Sequence, residues 1–231
     1  MLTKGDFHIH STASDGELTP KEIILAAKEK GIDTLAIADH NTTNGIEEAA
    51  EAGMLHGVSI VPAVELSTRY NNESIHLLGY FRDSLYNDPT LKEVLKHVKN
   101  HKADKARHIL SNFTTTDSSG RHLSVMEGLS LLKSFNAAVV LAHPVRISEK
   151  HIKEILNLPF DGIEAKYSRS DLKDTLYYVT MALTKFSFYT SGSDFHTNKR
   201  NDPKHSHIGE PYLNKAEIQL FLKYSGAILL S

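Results

Sequence analysis

The chain has 231 residues, 40% hydrophobic and 23% charged, with a formal net charge of -2. That length supports a substantial core, as one α/β barrel or two small domains, and the charge gives no global pull toward nucleic acid or anionic membrane. Absence of cysteine excludes disulfides, thiolate nucleophiles and Cys-ligated metal centres, so any transition metal must be held by nitrogen and oxygen, for which 14 histidines are a rich supply.

There is no apolar run of about 18 residues and no secretory leader pattern, which sets the expectation of a cytoplasmic protein without membrane contact. Residues 6–10 read as a strand, in which His8 and His10, at i and i+2, project from one face and could share one object. For that pair alone, two unrelated histidines at a solvated strand end explain the sequence as well. Thr19 and Pro20 supply an N-cap and a first-turn proline for a helix to about Lys30, which Gly31 stops. Residues 33–39 form a short apolar run expected of a strand buried on both faces, a helix follows from Asn44, and 58–65 is the next strand.

Further strands are expected at 75–80, 137–143, 161–166 and 186–194, with helices at 148–156, 171–183 and in KAEIQLFLKY before AILL. This alternation predicts parallel βα units in a single domain spanning 1–231. The interval 89–135 differs: Leu91, Val94, Leu95 and Val98, then Ala106, Ile109, Leu110 and Phe113, follow a 3.6-residue spacing. A helical excursion over about 83–136 is therefore expected, with 114–122 as its polar loop.

Acidic and imidazole residues gather where strands end. Asp15 follows His8 and His10 in the first strand-to-helix loop; Asp39 and His40 end the second strand, and Glu65 ends the third. His76 opens the fourth apolar run, His143 ends a strand in AHP, and Asp194 and His196 end another in GSDFH. In a parallel barrel such ends converge on one rim, where active sites of these folds are built. Taken singly, His76 or His143 reads as a satisfied buried histidine and Asp15 or Asp39 as an N-cap; seven such segments together point to metal. Imidazole and carboxylate ligands suit zinc, manganese and iron, and carboxylates can bridge ions.

The stretches FHIHSTASDGELTP, IADHNTTNG, PAVELST, IHLLGY, AHP and GSDFH together resemble the PHP (polymerase and histidinol phosphatase) superfamily, and within it the nucleoside bisphosphate phosphatases. The resemblance implies a distorted (β/α)7 barrel with a short helical insertion and three divalent ions, as zinc, manganese or iron. It implies one ion on His8, His10, Glu65 and Asp194, a second on Glu65, His76 and His143, and a third on Asp15, His40 and His196. Glu65, Asp194 and His196 are thereby the ligands expected to act in catalysis. The insertion looks shortened against relatives that act on nucleotides, and Lys166 stands where an aromatic or small apolar residue is common; both bear on the substrate rather than the chemistry.

Clustered divalent ions lower the pKa of bound water from about 15.7 to about 7 and clamp phosphoryl oxygens, as phosphate-ester hydrolysis requires. Cations near the rim would stabilise the transition state, and the candidates are Arg146, Lys166 and Arg200, with Arg107 and Arg121 from the excursion. His205 and His207 are candidate general acids, Asp39 a candidate orienter of His40, and His56, His97, His101, His108, His122 and His151 read as surface or packing residues. The reading is a phosphatase for a small, nucleotide-like phosphomonoester. Histidinol-phosphate phosphatase or phosphodiesterase/exonuclease activity is the hydrolytic alternative, although the lack of a strong basic stripe disfavours DNA. A non-catalytic metal-binding module is the third.

Overall fold

The computed structural model describes residues 2–110, 120–198 and 206–231. Strand β1 (Lys4–Ile9) leads to α1 (Pro20–Glu29), where Thr19 and Glu22 form a reciprocal capping box and Pro20 opens the first turn. Strand β2 (Thr34–Ile37) pairs in parallel with β1, and α2 (Ile46–His56) returns the chain to β3 (Ser59–Ile60) beside β2. Ile23, Ile24 and Ala27 of α1 and Ala49 and Ala52 of α2 bury one layer against Ile9, Leu35 and Ile37.

The strand expected over 58–65 is two strands. Pairing with β2 ends before Pro62, whose nitrogen cannot donate to a ladder, and β4 (Ala63–Tyr70) opens a second sheet. Strand β5 (Glu73–Phe81) then runs antiparallel to β4 rather than parallel. Asn71 and Asn72, with φ of 45° and 68°, make the two-residue turn, and positive φ at both central positions is what a type I′ hairpin requires.

The interval 89–135 holds α3 (Pro89–Lys99), α4 (Ala103–Ile109) and α5 (Val125–Ser134); part of the expected polar loop, 114–119, lies outside the described residues. Strand β6 (Ala137–Leu141) is antiparallel to β5. Then α6 (Glu149–Ile155), β7 (Gly162–Tyr167), α7 (Leu172–Lys185) and β8 (Phe188–Gly192) restore parallel βα order. Strand β9 (Leu213–Asn214), unanticipated in the sequence, adds antiparallel to β1 before α8 (Lys215–Ser225). Phe221 of α8 packs against Phe7, Tyr80 and Phe188, with ring centroids 4.6, 5.1 and 5.6 Å away, joining the two sheets through one apolar layer.

The sheets run β3-β2-β1-β9 and β4-β5-β6-β7-β8. They meet through isolated parallel bridges, Ile9 with Phe195 and His40 with Glu65. The fold is thus mixed α/β, and the described strands do not form the closed (β/α)7 barrel expected from the resemblance. The antiparallel β4-β5-β6 segment and the split of the 58–65 strand are the physical reasons.

Candidate metal centre

Glu65 is fully buried and central to the cluster. Its Oε1 lies 2.9 Å from both His76 Nδ1 and His143 Nε2; its Oε2 lies 3.0 Å from His40 Nδ1, 3.2 Å from His10 Nε2 and 3.3 Å from His8 Nε2. The hairpin explains why His76 belongs here. It stands near the start of its strand, but antiparallel pairing sets it opposite Ser67, two residues past Glu65.

Asp194 supplies the second buried carboxylate, with Oδ1 3.2 Å from His10 Nε2 and 3.6 Å from His8 Nε2. Tyr167 donates its hydroxyl to Asp194 Oδ2 at 2.8 Å, and Arg146 donates to the same oxygen at 3.4 Å. Asp15 is more open, its side chain 53% exposed, and its oxygens lie 3.4 Å from His196 Nε2, 3.7 Å from His10 Nδ1 and 3.8 Å from His40 Nε2. His143 and Asp194 both have left-handed backbone, φ 29° and 52°, a costly conformation for residues with a Cβ that recurs where surrounding structure fixes functional groups.

Three groups of side chains have ligand atoms close enough to hold one ion each: His8, His10, Glu65 and Asp194; His10, Asp15, His40 and His196; and His40, Glu65 and His76. The first is the set expected from the resemblance, and the second adds His10 to an expected set. The third has His40 where His143 was expected, with His143 meeting the other side of Glu65 Oε1. All nine expected ligands are therefore brought together.

The donor set fits divalent cations on observations of this structure. His8 Nε2 and His10 Nε2 face each other at 3.1 Å, the spacing of two ligands on one ion with metal–nitrogen bonds of roughly 2.0–2.1 Å. Nδ1 of His10, Nδ1 of His40 and Oε2 of Glu65 are buried without a hydrogen-bond partner among the described residues. At 3.0 Å, His40 Nδ1 and Glu65 Oε2 are near enough for such a bond but misaligned for one. Buried polar atoms are rarely left so, and a shared cation would satisfy them.

Charge coupling is strong. Burial works to raise the Glu65 carboxyl, yet His40, His76 and His8 together hold it well below the usual range. Burial opposes the charged form of His8, but Glu65, Glu164 and Asp194 raise it well above ordinary imidazole; against the same opposition Asp194 and Glu65 raise His10 to about 9. Burial also works to raise Asp194 and Asp15, and the surrounding imidazoles lower both. For His76, burial wins over Glu65 and lowers it. Cations bound here must displace these protons.

The sequence reading missed a supporting carboxylate. Glu164 of β7 is fully buried; its Oε1 lies 3.0 Å from His8 Nδ1, and its Oε2 accepts the His143 backbone N–H at 2.7 Å. A Cβ on Gly192 would stand 2.2 Å from His8 Cβ and 2.3 Å from Glu164 Oε1, so glycine is needed for this approach. The available signal was a carboxylate flanked by Ile163 and Ala165 inside a buried strand. Asp39, expected to orient His40, instead accepts from Ser11 N–H at 2.8 Å, Ser11 Oγ at 2.6 Å and Ser14 Oγ, fixing the loop that carries Asp15.

The expected substrate cations diverge. Arg146 stands at the cluster, 40% exposed, steadied by Tyr167 and Asp194. The register of β7 against β8 shifts between Glu164 and Lys166, and Lys166 pairs with Glu217 of α8 at 2.6 Å instead of joining the cluster. Arg107 makes five hydrogen bonds, to Glu127 twice and to Asp104, Gly120 O and His122 O, which use its whole donor set inside the excursion. Arg121 lines a cavity of about 520 Å3 with Arg69, Arg107 and His122. Arg200 and His205 lie outside the described residues; His207 is described and exposed.

Residues 6–112, a little under half of the chain, match the PHP domain. It is 38% identical over 99 residues to a 5'-3' exoribonuclease of Haemophilus influenzae, covering 43% of this chain and 35% of that protein. It is 35% identical over 104 residues to the 3',5'-nucleoside bisphosphate phosphatase of Chromobacterium violaceum, covering 45% of this chain and 36% of the relative. The matched stretch thus spans about a third of these relatives. Two solved structures share the fold: an amidohydrolase from Chromobacterium violaceum (TM-score 0.70, 23% identity, 88% of this chain and 90% of that one) and a Bifidobacterium adolescentis protein assigned as a metal-dependent phosphoesterase (TM-score 0.70, 20% identity, 96% of each).

Proposed function

We propose that this chain is a metal-dependent phosphoesterase that releases phosphate from a small, nucleotide-like phosphomonoester. The observation that carries the reading is the convergence of five imidazoles on the two oxygens of buried Glu65, with Asp194 and Asp15 completing the ligand groups. Zinc, manganese or iron, as three ions, would be held by His8, His10, Asp15, His40, Glu65, His76, His143, Asp194 and His196. Bound there, such ions supply Lewis acidity and a nucleophilic oxygen at neutral pH.

The chain's own groups do the rest. Glu65 neutralises charge on both sides of the cluster. Tyr167 and Arg146 fix the rotamer of Asp194, and the exposed part of Arg146 is placed to bind peripheral phosphoryl oxygens. A protonated side chain near the leaving oxygen is not required by this reading. The exoribonuclease relatives favour a second reading, cleavage of terminal phosphodiester bonds at the same cluster.

The test is phosphate release from 3'- or 5'-phosphorylated nucleosides by purified protein with added divalent metal. Turnover should require metal, and His143→Ala should abolish it while Glu65→Gln lowers metal stoichiometry. Release of nucleotides from a strand end by diester cleavage, without free phosphate, would refute the monoesterase reading in favour of the second.

A further inference from the structure

A cavity of about 630 Å3 lies beside the cluster, lined by Ala13, Asn41, Thr42 and Asn44 on one side and by Lys92, Glu93, Lys96 and Lys99 of α3 on the other. Its floor belongs to two ligand loops. Ala13 is in the loop carrying Asp15, and Asn41 follows His40. Asn41 is rigidly set: it has a left-handed backbone, its N–H donates to Glu65 O at 2.9 Å, and its side chain exchanges hydrogen bonds of 2.9 Å with Ser67 Oγ and Ser67 N–H.

The opposite wall is cationic by helical periodicity. Lys92, Lys96 and Lys99, at i, i+4 and i+7, share one face of α3. Lys99 reaches across to Ala13 O at 3.1 Å, tying the helix to the ligand loop. Lys96 is exposed, and its ammonium meets no carboxylate among the described residues. Glu93, the one acidic group of the lining, is engaged at 3.9 Å by His97. At a rise of about 1.5 Å per residue, the lysine row extends about 10 Å along the helix, longer than a single phosphate needs.

We infer that this cavity binds phosphate groups of the substrate other than the one that reacts, with Lys96 and Lys99 as their principal cations. The inference rests on the proposed phosphoesterase reading for its ligand class. It explains how a chain of net charge -2 can hold a polyanion: the positive charge is local, along one helix face that borders the metal ligands. The phosphates could come from a nucleoside bisphosphate or from the neighbouring nucleotides of a short single strand.

The test is binding, so it stands apart from turnover. Chelator-treated protein is titrated, at several salt concentrations, with a fluorescent 5'-phosphorylated tetraribonucleotide, and adenosine 3',5'-bisphosphate is measured as a competitor. Lys96→Gln with Lys99→Gln should weaken tetranucleotide binding at least tenfold and reduce the log–log salt slope by roughly 0.7 for each lost contact. Lys96→Arg with Lys99→Arg should restore it, and Lys173→Gln on α7 should match the parent. Equal weakening for the bisphosphate marks a mononucleotide as the source; weakening confined to the tetranucleotide marks a strand. If both ligands bind the folded glutamine variant within twofold of the parent, or neither binds the parent, the inference is overturned. Loss of turnover on every phosphate ester with this binding intact would instead count against the phosphoesterase reading alone.

Discussion

Replacing Glu164 by glutamine sets two hydrogen bonds against each other. The carboxylate accepts at both oxygens, from His8 Nδ1 and from the His143 backbone N–H. An amide has one oxygen. If that oxygen keeps the His143 N–H, the NH2 group must donate to His8 Nδ1, which moves the imidazole proton to Nε2 and blocks the nitrogen that faces Glu65 and His10. If the amide is reversed, NH2 confronts a buried backbone N–H, with a cost of about 1–3 kcal/mol for the unsatisfied group. Either arrangement falls on a candidate metal ligand. Losses of about 10–100-fold in metal affinity follow from changing such supporting carboxylates, equivalent to about 1.4–2.7 kcal/mol. A competition titration against a chromogenic chelator, on parent and Glu164→Gln, reads this directly, with circular dichroism confirming the fold. Affinity within twofold of the parent would refute the idea that Glu164 sets the His8 tautomer.

Arg107→Ala should destabilise the chain by about 3 kcal/mol, because Glu127, fully buried, would lose its ionic partner at 2.6 Å; urea unfolding measures it, and a change below 1 kcal/mol would contradict the structural role. Burial works to raise Glu127, but Arg107 and the Ser124 N–H hold it below its ordinary 4.5. Its contribution is therefore present above pH 4.5 and lost as pH falls below that value, and the Arg107→Ala variant should show a flatter acid limb in the same assay. Removal of metal should lower Tm, since bound ions stabilise the folded state alone. At a free concentration 100 times Kd this is about 2.7 kcal/mol, or about 5–11 °C for a chain of this size. An unchanged Tm after metal loss verified by elemental analysis would uncouple the cluster from folding.

The candidate ligands were legible because charged groups are out of place at the ends of apolar runs. HIH, ADH, AVE, AHP and SDFH each put an imidazole or carboxylate where a buried strand stops, and such groups need partners. The fold was legible in its alternating parts, α1 with its Thr19-Pro20 start above all. Less accessible was strand direction: a β-strand's periodicity does not state its orientation, and only Asn71-Asn72 signalled a hairpin. Supporting contacts were least readable. Arg107 and Lys166 looked like free cations because their partners, Glu127 and Glu217, lie 20 and 51 positions away. Glu164 read as an ordinary strand residue because its partners, His8 and the His143 N–H, lie 156 and 21 positions away.

The two bridges that join the sheets, Ile9 with Phe195 and His40 with Glu65, fall on candidate ligands or their immediate neighbours. The seam between the sheets and the candidate metal centre are one locality, so the order of chain synthesis matters. A growing chain that has made Glu65 and His76 has two carboxylates and four imidazoles of the set, but His143, Asp194 and His196 are still to come. The group of His8, His10, Glu65 and Asp194 cannot close until position 194 has been made and β8 has docked beside β1. Contacts at such sequence separation form late, after the loop-closure entropy of most of the domain has been met. A nascent chain would therefore expose an incomplete, acid-and-imidazole-rich edge for most of its synthesis, open to whichever cation is free nearby. Selection among metals at this centre would then depend on the cell's supply at the moment of docking as well as on the finished geometry.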